Sequence, residues 1–353
     1  MTTSSPITPK FLSRPSEIGV TCVGFAGGQN KAGVDTGPTA LIDNGLLSQL
    51  EKDLGYTILH DGQTHTYTSH QPAPEDDPIH RGMHNPRAVS AVTEQLEAQV
   101  YAQAVEGRFA LTLGGDHSIA IGTIAGTARA IRERLGREIA VIWVDAHADI
   151  NTPESSESGH VHGMPVAFLT GIAREDDLKI FGWLNKDTPT PGSEGYDKLG
   201  GKVKNGGEGT SAATGVLSTK KLVYIGLRDV DRGEKEILRK FGIKAFSMHD
   251  IDKWGIGRVM ELALAHIGSD TPIHLSFDVD ALDPQWAPST GTPVRGGLTL
   301  REGDFIAECV AETGSLVAMD LVEVNPSLEI MGADETVRAG CSLVRCALGD
   351  TLL

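Results

Sequence analysis

The sequence predicts an α/β fold on a mainly parallel sheet. Short apolar runs rich in Val, Ile, Leu and Phe recur along the chain, helix-like stretches separate them, and several runs end directly in polar residues. In open α/β sheets the ligand site lies at the carboxyl ends of the strands, so these polar endings fall where function is expected.

The strand-like runs, in order, are IGVTCVGF (18–25), FALTLGG (109–115), IAVIWVD (139–145), KLVYIGLRD (221–229), KAFSM (244–248), IHLSFDVD (273–280) and LVAMDLVEVNP (316–326). Helix-like segments run from Ser90 to Val105, after Asp116 (SIAIGTIAGTARAIRERLG) and after Arg232 (GEKEILRKFG). Residues 60–87, rich in His, Pro and Asp, and 182–215, rich in Gly, Ser, Thr and Lys, read as surface loops within one domain spanning residues 1–353. His60, His65, His70, His80 and His84 of the first loop lack ligand periodicity and read as solvated. Residues 1–17 read as a flexible tail; Lys10 and Arg14 precede the first acid, but three prolines oppose the helix a transit peptide needs.

With 353 residues, 40% of them hydrophobic, the chain can bury a large core. Its formal charge of −16 argues against nucleic acid and anionic membrane surfaces as partners and is compatible with a cationic small molecule. No apolar run is long enough to span a bilayer. Four cysteines without a CxxC suggest reduced thiols and a cytoplasmic setting, with the mitochondrion as the alternative.

Three strand ends concentrate the chemistry. LTLGGDHS supplies His117; WVDAHADIN supplies Asp145, His147 and Asp149 at alternate positions; SFDVDALDP supplies Asp278 and Asp280. Alternate residues of an extended chain share a face, so each set is expected to converge. A lone Asp at a strand end is usually a cap, and Asp116 reads as the cap of the helix after it. Three clusters at three strand ends point instead to metal. Four neighbouring carboxylates cannot all stay ionised unaided, and two divalent cations would balance them. Oxygen-rich donors with some imidazole and no thiolate favour Mn²⁺ over Zn²⁺. Six ligands for two ions require a shared carboxylate. Such a pair of ions, roughly 3.5 Å apart, can hold and acidify one water.

These residues resemble the ureohydrolase family, and within it the arginases. GGDHS, DAHADIN and SFDVDALDP look like the family's metal-binding segments; SGHVHGMP, YIGLRDVDRGE, TGTPVRGGLTLREG and EVNPSL follow in the family's order. The resemblance covers about residues 19–348 apart from the two loops. It implies a three-layer α/β/α sandwich and two Mn²⁺ ions, one on His117, Asp145, Asp149 and Asp278, the other on His147, Asp145, Asp278 and Asp280. It further implies hydrolysis of L-arginine to L-ornithine and urea by a metal-bridging hydroxide. Asp149 would accept a hydrogen bond from the intermediate. His162 would shuttle the proton, and Glu323 would orient the guanidinium with Thr292 beside it. Asn151 and Ser158 would meet the α-carboxylate, and Asp231 with Glu234 behind it the α-ammonium. A homo-oligomer, trimeric or trimer-based, is the family expectation.

Departures are His160 where the pattern has Asn, a long 182–215 loop and a short C-terminal tail. The alternatives are a related amidinohydrolase acting on agmatine or a guanidino acid, a Zn²⁺ deacylase of the same broad fold, and a non-catalytic binding relative.

Overall fold

The computed structural model describes residues 8–185, 215–329 and 331–351. Its centre is a nine-stranded sheet: β1 (Arg14–Val23), β2 (Thr57–Leu59), β3 (Thr64–His65), β4 (Arg108–Leu113), β5 (Ala140–Val144), β6 (Leu222–Leu227), β7 (Lys244–Ser247), β8 (Ile273–Asp278) and β9 (Leu316–Val322). The order is β2-β1-β4-β9-β8-β5-β6-β7, with β3 also on β1, and every pairing is parallel. β8 and β9, last in the chain, insert between β4 and β5. That insertion makes neighbours of the three strand ends singled out in the sequence.

Ten α-helices flank the sheet among the described residues: α1 (Gly37–Asp43), α2 (Leu46–Lys52), α3 (Pro86–Val105), α4 (Ala120–Leu135), α5 (Pro165–Thr170), α6 (Arg232–Phe241), α7 (Met248–Trp254), α8 (Ile256–Ile267), α9 (Leu300–Glu312) and α10 (Ala333–Ala347). None is long and apolar enough to cross a membrane. The pleat divides the core in two. Ala140, Ile142 and Val144 of β5 pack with α1, α2 and α7–α10, while Val141 and Trp143 pack with α3–α5. Because both faces are covered, β5 and β8 are buried along their whole length. This is the three-layer sandwich, with the sheet as its middle.

Three boundaries differ from the sequence reading. Arg14–Glu17 belong to β1 rather than to a tail: Arg14 N–H donates to the Gly107 carbonyl at 2.9 Å and its guanidinium pairs with Glu106 at 3.1 Å. Residues 1–7 lie outside the described part. The 60–87 stretch holds β3 and the start of α3, with Pro86 at the first helical position, where its missing N–H costs nothing. Of the 182–215 loop, Gly182–Asn185 form a 3₁₀ turn and 186–214 lie outside the described residues.

α4 lies against α3 through glycines. A Cβ at Gly122 would stand 2.5 Å from the Thr93 carbonyl oxygen, and one at Gly126 2.5 Å from that of Glu97. We therefore expect Gly126→Val to force the helices apart and cost about 1–3 kcal/mol; a urea midpoint equal to that of the parent would contradict this packing.

Candidate metal centre

The site is built where β4, β9, β8 and β5 end side by side. Its side chains converge through turns rather than through continued strand. β5 stops at Val144, so Asp145, His147 and Asp149 lie in the turn beyond it, and Asp149 sits at φ 48°. Asp278 ends β8, while Asp280 lies in a 3₁₀ turn whose N–H donates to Asp278 Oδ1 at 2.7 Å. His117 opens the 3₁₀ turn after β4, which Asp116 caps. The alternation found in the sequence thus picks residues that do converge, although extended backbone is not what brings them together.

His117 Nδ1 lies 3.1 Å from Asp145 Oδ2, 3.3 Å from Asp149 Oδ2 and 3.2 Å from Asp278 Oδ2. His147 Nδ1 lies 3.3 Å from Asp145 Oδ1 and 3.1 Å from Asp280 Oδ2. Two groups able to hold a metal ion result, His117/Asp145/Asp149 and Asp145/His147/Asp280, and they share Asp145. All four aspartates and His117 are buried.

The tautomer of His117 tests whether a cation fits. Ser276 Oγ donates to Asp320 Oδ1 at 2.5 Å, so it accepts from His117 Nε2–H at 2.9 Å. With the proton on Nε2, the Nδ1 lone pair faces the three carboxylates. Nδ1 is buried, and none of its contacts has hydrogen-bond direction. A lone pair aimed among three carboxylate oxygens is repulsive unless positive charge sits between them. The donor set therefore fits a divalent cation.

The electrostatics record the same demand for positive charge: burial opposes it, yet Asp145, Asp149 and Asp278 drive His117 well above its ordinary range, so that without a cation a second proton fills the place at Nδ1. Burial, with Asp280 and Asp145 beside it, drives Asp278 well above the usual carboxylate range. Burial and Asp145 raise Asp149 to about 6. Asp145 goes the other way: burial opposes its charge, but His117 and His147 hold it far below its ordinary value.

Around this centre lies a cavity of about 210 Å³, lined by Asp149, Asp229, Asp231, Glu234 and Asp278 among others, with no lysine or arginine among the described residues of its lining. A larger cavity of about 650 Å³ lies at the opposite ends of the strands, near Leu12, Phe109 and Leu316, and brings no such polar cluster together. Glu323, at φ 62°, is 1% exposed; its Oε1 accepts from His117 N–H at 2.9 Å and lies 3.3 Å from His162 Nδ1. Burial works against charge on His162, yet Glu323 raises it to about 9. Thr292 Oγ1 donates to Asp280 Oδ2 at 2.9 Å, so it belongs with the ligands; Gly291 is the residue that abuts Glu323. Asp231 and Glu234 form a capping box on α6, and burial with Asp149 nearby raises Glu234 to about 8. Asn151 Nδ2 donates to Asp231 at 2.7 Å. Ser158 is exposed, accepts from His160 N–H at 3.3 Å and is not among the residues lining the cavity.

Several supporting residues escaped the sequence reading. Trp143 stacks on His117 with centroids 4.0 Å apart and donates from Nε1 to Asp145 at 2.9 Å. Asp320 accepts from Ser276, from Thr123 at 2.5 Å and from His274 at 2.8 Å. Arg228 donates to the carbonyls of Asp280 (2.6 Å), Ala281 (3.0 Å), Leu282 (3.1 Å) and Val294 (2.8 Å), fastening the turn that carries Asp280. A signal for Ser276 was present: His274, Ser276 and Asp278 alternate along an otherwise apolar strand. Arg228 had none, since its partners are all backbone.

Comparison with known proteins agrees with this geometry. The model of the arginase family matches residues 16–349. The arginase of Coccidioides posadasii is 66% identical over the whole of both chains. The crystal structure of a cold-adapted arginase from Glaciozyma antarctica is 40% identical with a TM-score of 0.69, covering 99% of this chain and 100% of that one. That of Entamoeba histolytica arginase in complex with L-ornithine is 27% identical with a TM-score of 0.75, covering 97% and 100%. With the family model matched over nearly its whole length and two thirds of its residues shared with a curated relative, this chain belongs to the arginase family.

Proposed function

We propose that this chain is an arginase, hydrolysing L-arginine to L-ornithine and urea at a pair of Mn²⁺ ions. The observation that carries the reading is the pair of ligand groups sharing Asp145 and opening into an acidic cavity. Membership of the arginase family and the ornithine complex of a relative support the substrate. His117, Asp145, Asp149 and Asp278 would hold one ion; His147, Asp145, Asp278 and Asp280 would hold the other. Oxygen donors with imidazole and no thiolate suit manganese. When bound, the ions supply Lewis-acid activation of water at neutral pH.

The chain's own residues do the rest. Glu323 offers the guanidinium a carboxylate matched to its planar fork of donors; His117 N–H fixes one of its oxygens. The acidic lining admits a cation and disfavours an anion. Asp231 and Glu234 meet the α-ammonium, and Asn151 and Ser158 the α-carboxylate. Asp149, held at a left-handed φ, offers an acceptor to the reacting centre. His162, which Glu323 holds protonated through neutrality, delivers a proton to the departing amine. The reading extends to a homo-oligomer, which sedimentation of the intact chain tests, and to a reducing cytoplasmic setting, with which four free cysteines agree.

Three outcomes follow for the Mn²⁺-loaded protein. Urea release from L-arginine, agmatine and 4-guanidinobutyrate should favour L-arginine by about 100-fold or more in kcat/KM; preference for either analogue would overturn the roles of Asn151, Ser158 and Asp231. His162→Ala should keep its metal content while kcat falls about 10²- to 10⁴-fold; loss of metal instead would reassign the residue. Asp320→Asn should weaken binding of one ion about 10- to 100-fold by freeing Ser276 and the His117 ring. Metal titration giving parental affinity would remove Asp320 from the scheme.

A further inference from the structure

Beside His162 stand two imidazoles to which the proposed reaction gives no role. His160 lies beside His162 with ring centroids 6.1 Å apart, and His84 beside His160 at 5.7 Å. The row runs outward. His162 touches Glu323 and is one-fifth exposed, with a side-chain exposure of 20%; His160 is half-buried; His84 is exposed.

The row is built into the fold. Gly159 sits at φ 70°, and a Cβ there would stand 2.1 Å from the Gly82 carbonyl oxygen and 2.9 Å from the His84 ring, so only glycine lets the two loops close on each other. His84 N–H donates to the Gly159 carbonyl at 2.9 Å, and Asn85 Nδ2 to that of Gly27 at 3.0 Å. Arg81 pairs with Glu154 and Glu175 and donates to the Arg174 carbonyl at 3.0 Å, clamping the 80–85 segment over the loop that carries His160. An exposed histidine on a solvated loop would need none of these restraints.

We propose that His160 and His84 form a proton relay between His162 and solvent. This rests on the reading of the site as an arginase. In that reaction water gives its oxygen to the guanidinium carbon and releases a proton, and the bond from that carbon to the side-chain nitrogen breaks. The departing amine takes a proton from His162. Guanidinium and water become urea and an ammonium group with no net proton change, but release and uptake occur at different moments. A path to solvent is what lets His162 reload between them. Glu323, Asp149 and Asp116 face His162 and favour its charge. His160 has His162 on one side and His84 on the other; burial and these neighbours hold it below its ordinary range. A neutral ring between two others can accept at one nitrogen and release at the other.

The test compares the Mn²⁺-loaded parent with His160→Asn and His84→Asn, reading kcat and KM for L-arginine in weakly buffered solution and again in concentrated imidazole at equal ionic strength. The relay requires kcat of His160→Asn to fall about tenfold in weak buffer, to recover in imidazole, and KM to stay within about twofold. His84→Asn should show a smaller loss with the same recovery, and it carries the test alone if His160→Asn does not fold. Losses that imidazole leaves unchanged, or a change confined to KM, would overturn the relay; the latter would make His160 a contact of the substrate. Absence of arginine turnover by the parent would overturn the reading of the site and the relay with it. Parental turnover with variants indifferent to buffer overturns the relay alone.

Discussion

Everything in this structure answers to one constraint: four carboxylates, Asp145, Asp149, Asp278 and Asp280, are buried within reach of two imidazoles. Taking such charges out of water costs several kcal/mol apiece unless each finds a partner. The protonation preferences record the conflict. Asp145, between His117 and His147, is held ionised; Asp149, Asp278 and Asp280 are all pushed upward. The proposed pair of divalent cations would resolve the conflict without adding protons. The surrounding framework holds the ligands in place whether or not the charge is balanced. Trp143 lies under His117, Ser276 and Asp320 fix its tautomer, and Arg228 pins the Asp280 turn.

The same residues couple ligand to substrate. Glu323 accepts from the backbone N–H of His117, and its own N–H donates to the Gly115 carbonyl at 2.9 Å, so the β9 and β4 ends are tied across the site. Glu323 and Asp149 both hold left-handed backbone without being glycine. Each such residue costs about 1–3 kcal/mol, and at Glu323 the bonds to the His117 N–H and the Gly115 carbonyl hold the strained backbone in place. Any movement of the turn that carries His117 would therefore move the carboxylate proposed to orient the guanidinium. Distortion at one site would reach the other through a single hydrogen bond.

The sheet was legible because its central strands are buried on both faces and so read as apolar runs. β2 and β3, with three and two residues at the sheet edge, have no such run; β3 fell inside the 60–87 stretch and β2 just before it. β1 was legible from Ile18 onward but not at Arg14–Glu17, where polar residues pair through backbone at an edge register. The six converging ligands were legible as residue types at strand ends. The turns that make them converge were not, because a left-handed Asp149 leaves no mark in composition. A motif carries residue types but no side-chain direction. The hydroxyl of Thr292 is directed to Asp280 rather than toward Glu323, and Ser158 is exposed, apart from the residues that line the cavity.

The amino-acid end of the cavity explains how so acidic a site can accept a substrate that carries its own carboxylate. Asn151 is fixed at both ends: Ser155 Oγ donates to its Oδ1 at 2.7 Å, and its Nδ2 donates to Asp231 at 2.7 Å. A carboxylate can only accept, so the amide cannot be flipped. Its NH₂ carries two donors, and Asp231 occupies one. The other leaves the same nitrogen that holds Asp231, the carboxylate proposed to meet the α-ammonium. Donor and acceptor are thus preset side by side, and in the proposed assignment the α-carboxylate would meet a fixed N–H within an otherwise repulsive lining. A ligand lacking that carboxylate leaves the N–H unpaired, and one lacking the α-amine leaves Asp231 facing no cation. Under that assignment discrimination would follow from unsatisfied polar groups rather than from shape, in a cavity lined among the described residues by no lysine or arginine.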